Sequence, residues 1–254
     1  LADGSQCRDG KAPVTALGIQ VRDLSLHYGT RTLFRQLNID IPAGQWVSLL
    51  GASGCGKTSL LRIIAGLAVP STGHVCASDG GVLQGRLAWM GQRDLLYPWL
   101  SVQDNVALAA RLRGEKVDSA WVTHLLEQVG LASSARLLPA ALSGGMRQRV
   151  ALARTLYERQ PIVLMDEPFS ALDTLTRTRL QTLAAELLAD RTVLLITHDP
   201  MEACRLSHRL LVLSAEQGID DTHAVLGSPP RAPDDPYLLQ SQAALLQQLM
   251  RAHG

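Results

Sequence analysis

Cysteine is scarce in this chain: among 254 residues there are only Cys7, Cys55, Cys76 and Cys204. They are scattered, with no CxxC pair and no histidines at zinc-ligand spacing. This argues against a disulfide framework or a structural zinc and for reduced thiols in a cytoplasmic protein. Neither charge sign is in excess, with 24 Lys plus Arg against 23 Asp plus Glu. Nothing therefore advertises nucleic-acid binding by charge, and any phosphate chemistry must be local. No run approaches the roughly 20 apolar residues of a membrane-spanning helix, so work at a membrane would need another chain to span it. The opening "LADGSQCRDGKAP" lacks the apolar centre of a signal peptide and reads as a loose tail. Internal repeats and low-complexity tracts are also missing. What is present, 46% hydrophobic residues, 19% charged residues and 21 glycines, describes a globular α/β protein.

Hydrophobic periodicity gives the order of elements. Apolar and polar residues alternate in "IQVRDLSL" (19–26) and "FRQLNIDI" (34–41), which predicts half-buried antiparallel strands forming a small β-layer. The continuous apolar run "WVSLLG" followed by "SLLRIIAGL" reads as strand, loop and helix, and "GRLAWMGQ" as a further strand. Between Ser101 and Leu138 the pattern is helical: "SVQDNVALAARLRG" opens on a serine N-cap and "VDSAWVTHLLEQVG" closes on a glycine. Next come a helix from Gly144, the strand "PIVLMDEP", a helix near 174–189, the strand "RTVLLITHD", a short helix and the strand "HRLLVLS". Strands alternating with helices imply a mainly parallel core sheet. Beyond Gly218 the sequence becomes Pro-rich ("GSPPRAPDDP") and ends in the amphipathic "YLLQSQAALLQQLM".

"GASGCGKT", Gly51 to Thr58, matches the GxxxxGK[ST] phosphate loop and lies between a strand and a helix, as its mechanism demands. The glycines let backbone N–H groups wrap phosphates, Lys57 neutralises their oxygens, and the Thr58 hydroxyl suits Mg²⁺. Asp166 and Glu167 end a buried strand. Asp166 is placed on the metal side, and Glu167, one step further, to accept a proton from an attacking water or to orient it. Gln92 and His198 also leave strand carboxyl ends, where open α/β sheets bind ligands, and each is a candidate γ-phosphate sensor. Tyr28, after the first strand, is placed to stack on an adenine ring. A second anion cradle, Ser143, Gly144 and Gly145 in "ALSGGMRQRVALART", opens a helix and presents unpaired N–H groups.

The ordered set Tyr28, "GASGCGKT", Gln92, "LSGGMRQR", "IVLMDEP", "SALD" and His198 resembles the nucleotide-binding subunit of ATP-binding cassette (ABC) transporters over about residues 19–214. The resemblance implies a P-loop NTPase fold with a mainly parallel core sheet, an antiparallel β-layer and an ABC helical subdomain near 95–145. It implies ATP and Mg²⁺ as cofactors. Gly51, Ala52, Ser53, Gly54, Cys55, Gly56, Lys57, Thr58 and Ser59 then hold the nucleotide with Tyr28. Thr58, Gln92 and Asp166 face the metal, and Glu167, His198, Lys57 and Gln92 carry the catalysis. It further implies a head-to-tail homodimer, in which Ser143, Gly144, Gly145 and Asp173 reach the nucleotide bound to the partner. This explains why one chain carries two cradles. Two departures stand out. Met146 replaces the usual glutamine of the signature, and Cys55 lies inside the phosphate loop, where it predicts sensitivity to thiol reagents.

The expected organisation is a flexible tail (1–18), one ABC ATPase domain (19–218), and a Pro-rich linker with a C-terminal amphipathic helix (219–254). From Gln92 to Ser143 is 51 residues, room for a helical subdomain but not for a long coiled coil or a zinc insertion. With no basic excess, this favours an importer ATPase over a soluble ABC ATPase working on DNA or ribosomes, and intact Lys57, Asp166, Glu167 and His198 argue against a non-hydrolysing scaffold. The expected partners are integral membrane permease subunits and, indirectly, a substrate-binding protein, with no nucleic acid. The expected location is peripheral, on the cytoplasmic face of the inner membrane. "MGQRDLLYPWLSVQDNVALAARLRG" is similar to importers of the nitrate, sulfonate and taurine type, and "LQTLAAELLADRTVLLITHDPMEACRLSHRLLVL" to those for hydroxymethylpyrimidine, a thiamine precursor. Tyr97 and Trp99 of "LLYPWL" are candidate interface anchors for the permease.

Overall fold

The structure, a computed structural model, describes residues 15–29, 31–214 and 218–251. The expected tail lies largely outside the described residues, but Gly18 is tied down: its N–H donates to Ser78 Oγ at 3.0 Å and its carbonyl accepts the Ser78 N–H at 2.9 Å.

Strands β1 (Ile19–Tyr28), β2 (Arg31–Ile41) and β4 (Thr72–Ala77) form an antiparallel sheet in the order β2-β1-β4. β4 was not apparent in the sequence because "TGHVCA" is exposed over its first half and carries no apolar alternation. The larger sheet takes the order β5-β6-β7-β3-β8-β9, from β3 (Trp46–Gly51), β5 (Leu87–Met90), β6 (Ile162–Asp166), β7 (Thr192–Ile196), β8 (Arg209–Ser214) and β9 (Gly218–Ala224). All pairs are parallel except β8 with β9. The acidic "GIDDTHA" is thus an edge strand of the core sheet, and the Pro-rich segment begins only after it. Its pairing includes an ion pair between Asp221 and Arg209, and its low apolar content is what an edge tolerates.

The central strands are apolar throughout because both faces are covered. On β6 and β7, Val163, Met165, Val193 and Leu195 join one core with the helical region, while Ile162, Leu164, Leu194 and Ile196 join another with the antiparallel layer and α1 (Lys57–Ile64). The helical region comprises α2 (Val102–Val106), α3 (Leu108–Leu112) and α4 (Ser119–Gln128), followed by α5 (Gly144–Tyr157). The single helix expected from "SVQDNVALAARLRG" is divided at Ala107, whose backbone turns to φ −84°, ψ 4°. The remaining helices are α6 (Thr174–Leu187), α7 (Pro200–Leu206) and α8 (Pro236–Arg251), and α8 packs Leu238 and Leu245 on Ala203 and Cys204.

One contact in this frame leads to an expected pH dependence of stability. Where β3 meets β8, the Trp46 N–H donates to His208 Nδ1 at 3.0 Å and the His208 N–H returns to the Trp46 carbonyl at 2.8 Å. Burial, with the Arg231 guanidinium nearby, pushes the imidazole pKa below its ordinary value. A folded pKa below the unfolded one means that stability is full above about 6.5 and is lost as pH falls below it. Thermal melts between about pH 7.5 and 5.5 should show this loss, with a smaller slope in His208→Gln. An unchanged slope would remove His208 as its source.

Candidate active site

The phosphate loop is built by strand β3 stopping abruptly. Gly51 adopts φ +144°, and a Cβ there would lie 2.2 Å from the Leu213 carbonyl oxygen, so only glycine fits. Gly56 turns at φ +108° against the Phe34 ring of β2, 3.1 Å from where a Cβ would stand, and α1 starts at the next residue. The loop carries Ala52, Ser53, Gly54 and Cys55 between these two glycines and hands on to Lys57, Thr58 and the half-buried Ser59 in the first turn of α1. Lys57 bends over it, with Nζ donating to the carbonyls of Gly51 at 2.8 Å and Ala52 at 2.9 Å. Cys55 is buried, which shields its thiol from reagents and runs against the expected sensitivity. Arg31 also reaches the loop, donating to the Gly54 carbonyl at 3.4 Å, a contact not anticipated from sequence.

Parallel pairing places β6 beside β7, bringing Asp166 to the loop, where its Oδ2 accepts the Thr58 hydroxyl at 2.9 Å. Burial pushes the Asp166 carboxyl above the ordinary carboxylate range. The Thr58 hydrogen bond opposes this, the Glu167 charge adds to it, and Lys57 counters it. A hydroxyl and a carboxylate held together are the hard oxygen ligands that Mg²⁺ prefers. Among the described residues no cluster of three or more His, Cys, Asp or Glu is placed to cage a metal.

Glu167 is the centre of the polar cluster. Its Oε2 is 3.4 Å from the Gln92 amide nitrogen and its Oε1 is 3.4 Å from His198 Nδ1, so these two residues from different strand ends flank the two carboxylate oxygens. Its backbone is in the left-handed region at φ +51°, unusual for a side chain of this size. The structure thus brings together Lys57, Thr58, Gln92, Asp166, Glu167 and His198. Tyr28 ends β1 at the adjoining turn, but its side chain lies outside the described residues.

The second cradle stands apart. Ser143 caps α5, its Oγ accepting the Met146 N–H at 3.2 Å, and Asp173 caps α6, accepting the Thr176 N–H at 3.0 Å. Among the described residues, no hydrogen bond or ion pair joins Ser143, Gly144, Gly145 or Asp173 to the phosphate loop. Gly145 abuts the Ala171 carbonyl and Leu172 instead, with a Cβ there 3.3 Å and 3.6 Å from them. Sequence reasoning also missed Gln148, which is buried and donates to the Glu167 carbonyl at 3.0 Å. The available signal was a polar residue on an apolar stripe, since Ala151, Leu152 and Thr155 share its helix face and are buried.

Comparison with known proteins agrees with this geometry. A family model described as ABC transporter matches residues 34–170. The chain is 45% identical over 247 residues to an uncharacterised ABC transporter ATP-binding protein of Haemophilus influenzae, covering 91% of this chain and 98% of that protein. It is 42% identical over 229 residues to an aliphatic sulfonates import ATP-binding protein of Pseudomonas syringae pv. syringae, covering 89% and 93%. It is also similar to a solved dimeric, post-hydrolysis state of an ATP-binding cassette bound to ADP and phosphate. That match has a TM-score of 0.73 and 27% identity, covering 81% of this chain and 99% of the other.

Proposed function

The chain belongs to the ATP-hydrolysing subunits of ABC transporters, and from that premise we propose that it powers import of a small organic nutrient by closing on ATP as a head-to-tail homodimer. The observation that carries this reading is the carboxylate of Glu167 held between Gln92 and His198, beside Lys57, Thr58 and Asp166. Loop N–H groups and Lys57 bind the β- and γ-phosphates. Glu167 takes a proton from water as the water oxygen bonds to the γ-phosphorus. The bond from that phosphorus to the bridging oxygen breaks, and ADP leaves with the electron pair. Gln92 and His198 keep the carboxylate aimed. Thr58 and Asp166 are the residues that would hold Mg²⁺, which supplies neutralisation of phosphate charge.

The separation of Ser143, Gly144, Gly145 and Asp173 from the phosphate loop supports their action on a partner's nucleotide, and the dimeric ADP-bound relative supports the same arrangement. Among the described residues no helix is long and apolar enough to cross a membrane. The names of the import ATP-binding relatives support permease chains as the partners that form the pore. The subunit then works at the cytoplasmic face of the inner membrane, with a substrate-binding protein as its indirect partner. For the cargo, the names of the sulfonate relatives favour an aliphatic sulfonate or similar small molecule. Hydroxymethylpyrimidine has no support from those names and rests on the resemblance of the 180–213 segment alone.

The permease contact is assigned to the loop after Gln92. Leu95, Tyr97 and Trp99 are 59%, 41% and 70% exposed, so they are not core. The two rings meet edge to face at 5.3 Å. The loop is rigid. The Asn105 amide bonds the Tyr97 N–H at 2.8 Å and the Tyr97, Leu100 and Ser101 carbonyls at 3.0–3.2 Å. Arg147 pairs with Asp94 at 3.1 Å, and Arg154 donates to the Asp94 and Leu95 carbonyls at 2.6 Å and 2.9 Å. Exposed aromatics on a fixed support are typical interface anchors. Trp99→Ala should therefore leave folding and ATP binding intact while lowering permease capture and uptake by about 10-fold or more, a hot-spot effect. ATPase assays with and without co-expressed permease, together with a pull-down, test both claims. Undiminished pull-down and uptake would remove the docking role, and no ATPase activity under any condition would sink the function.

A further inference from the structure

Helix α5 carries a glutamine on its buried face, and packing does not account for it. Gln148 is 7% exposed, and both ends of its amide are engaged. Nε2 donates to the Glu167 carbonyl at 3.0 Å and lies 3.5 Å from Ser170 Oγ, while Oε1 accepts the Ala171 N–H at 2.8 Å. A methionine or leucine would fill the same space without the cost of desolvating an amide. What the amide holds is Glu167 in its left-handed backbone at φ +51°. The same carbonyl accepts Ser170 Oγ at 3.1 Å, and the Glu167 N–H donates to Ile196 at 2.9 Å, so the backbone behind the carboxylate is fixed from three sides. Such a conformation is strained for a side chain of this size and persists only where its surroundings enforce it.

We propose that Gln148 is a positioning residue for hydrolysis, fixing the aim of Glu167 within its own chain, while Ser143–Gly145 at the start of the same helix act on the nucleotide of the partner. The proposal rests on the role given above to Glu167. One helix thereby serves both ATP sites, its first turn in trans and its second in cis.

Heterodimers of the full chain decide it, each compared with a reference that pairs Glu167→Gln with wild type and so keeps one site able to hydrolyse. In the first, one chain carries Gln148→Met and the other Glu167→Gln, so the surviving carboxylate is the one whose glutamine is missing. In the second, both substitutions are on one chain, and the wild-type partner keeps Glu167 and Gln148 together. Turnover in the first should fall about 10²-fold below the reference, the cost of a misplacement near 1 Å, with KM for ATP within about twofold. The second should match the reference. Loss in the second, in both or in neither overturns the proposal.

Methionine keeps the side chain's length and apolar packing, and ATP binding by each heterodimer verifies that the fold survives. Gln148→Glu keeps the acceptor for Ala171 but sets an anion against the Glu167 carbonyl, and it should give the same pattern. A third heterodimer, with Ser143→Arg and Glu167→Gln on one chain, tests the head-to-tail arrangement separately. If it keeps the reference activity, that arrangement fails while the Gln148 comparison still reads out. A Glu167→Gln homodimer with normal turnover overturns both the role of Glu167 and the proposal built on it.

Discussion

Glu167→Gln should lower ATP turnover by at least about 10²-fold while leaving nucleotide affinity nearly unchanged, because proton handling by a positioned carboxylate is worth about 10²–10⁴. The substitution preserves size and keeps an oxygen between Gln92 and His198, which approach the carboxylate at 3.4 Å on either side. The capacity to take a proton is what disappears. The phosphate contacts proposed for Gly51–Thr58 are untouched, so ATP should still bind. Without hydrolysis the ATP-closed dimer should accumulate, since a ligand held between two subunits stabilises their association until it is consumed. Steady-state phosphate release, equilibrium binding of a fluorescent ATP analogue, and gel filtration with ATP and Mg²⁺ measure the three consequences. Near-normal turnover would remove Glu167 from the role of base and leave Gln92 and His198 flanking a carboxylate with no chemical duty.

Much of this site is legible in sequence because its parts are local. A phosphate loop needs glycines at fixed offsets and a lysine at the helix start, so Gly51, Gly56 and Lys57 declare themselves within eight residues. Asp166 and Glu167 are readable for a related reason: two acids closing a fully apolar strand stand where an open α/β sheet meets its ligand. The central strands were visible as apolar runs because both of their faces are buried. Where the signal depends on the partner element, it fades. β4 and β9 are half-exposed or edge strands whose pairing is set by β1 and β8, and neither carries an apolar pattern of its own. Gln148 lay inside a stretch of arginines that reads as a solvated face. Only the buried neighbours at three, four and seven residues further along place it inward. The reach of Arg31 to Gly54 depends on where the first residue of β2 stands relative to the loop, which no linear pattern encodes.

The Pro-rich segment shows the same limit most plainly, and it yields the largest expected effect on stability. "GSPPRAPDDP" has the composition of a linker, yet Arg231 within it is 3% exposed. The guanidinium has five N–H donors, and here they meet five backbone carbonyls: Leu226 at 2.6 Å, Cys204, Val225 and Gly227 at 2.7 Å, and Ser207 at 2.8 Å. Burial pushes its pKa down, but an arginine stays charged, and the ring of carbonyl dipoles takes the place of water. The segment is stitched onward from there. The Arg231 N–H donates to the Arg205 carbonyl at 3.0 Å, and Arg205 Nε returns to the Arg231 carbonyl at 3.1 Å. Arg205 bonds Gln181 at 2.8 Å, Gln181 bonds Glu202 at 2.8 Å, and Glu202 bonds Thr197, the residue before His198. A buried polar chain therefore runs from the C-terminal segment to the loop that carries His198. Arg231→Met fills the space but orphans the carbonyls, a loss of about 3–5 kcal/mol of the roughly 5–15 that hold a domain together. The melting temperature should fall by roughly 6–20 °C. Arg231→Lys should rescue little of this, because an ammonium offers three donors on a single nitrogen and cannot span the ring. A thermal melt of Arg231→Met within about 2 °C of wild type would show that α8 and the Pro-rich segment are held without the guanidinium, by Leu238, Leu245 and the backbone bonds to Arg205, and that the guanidinium is incidental to the fold.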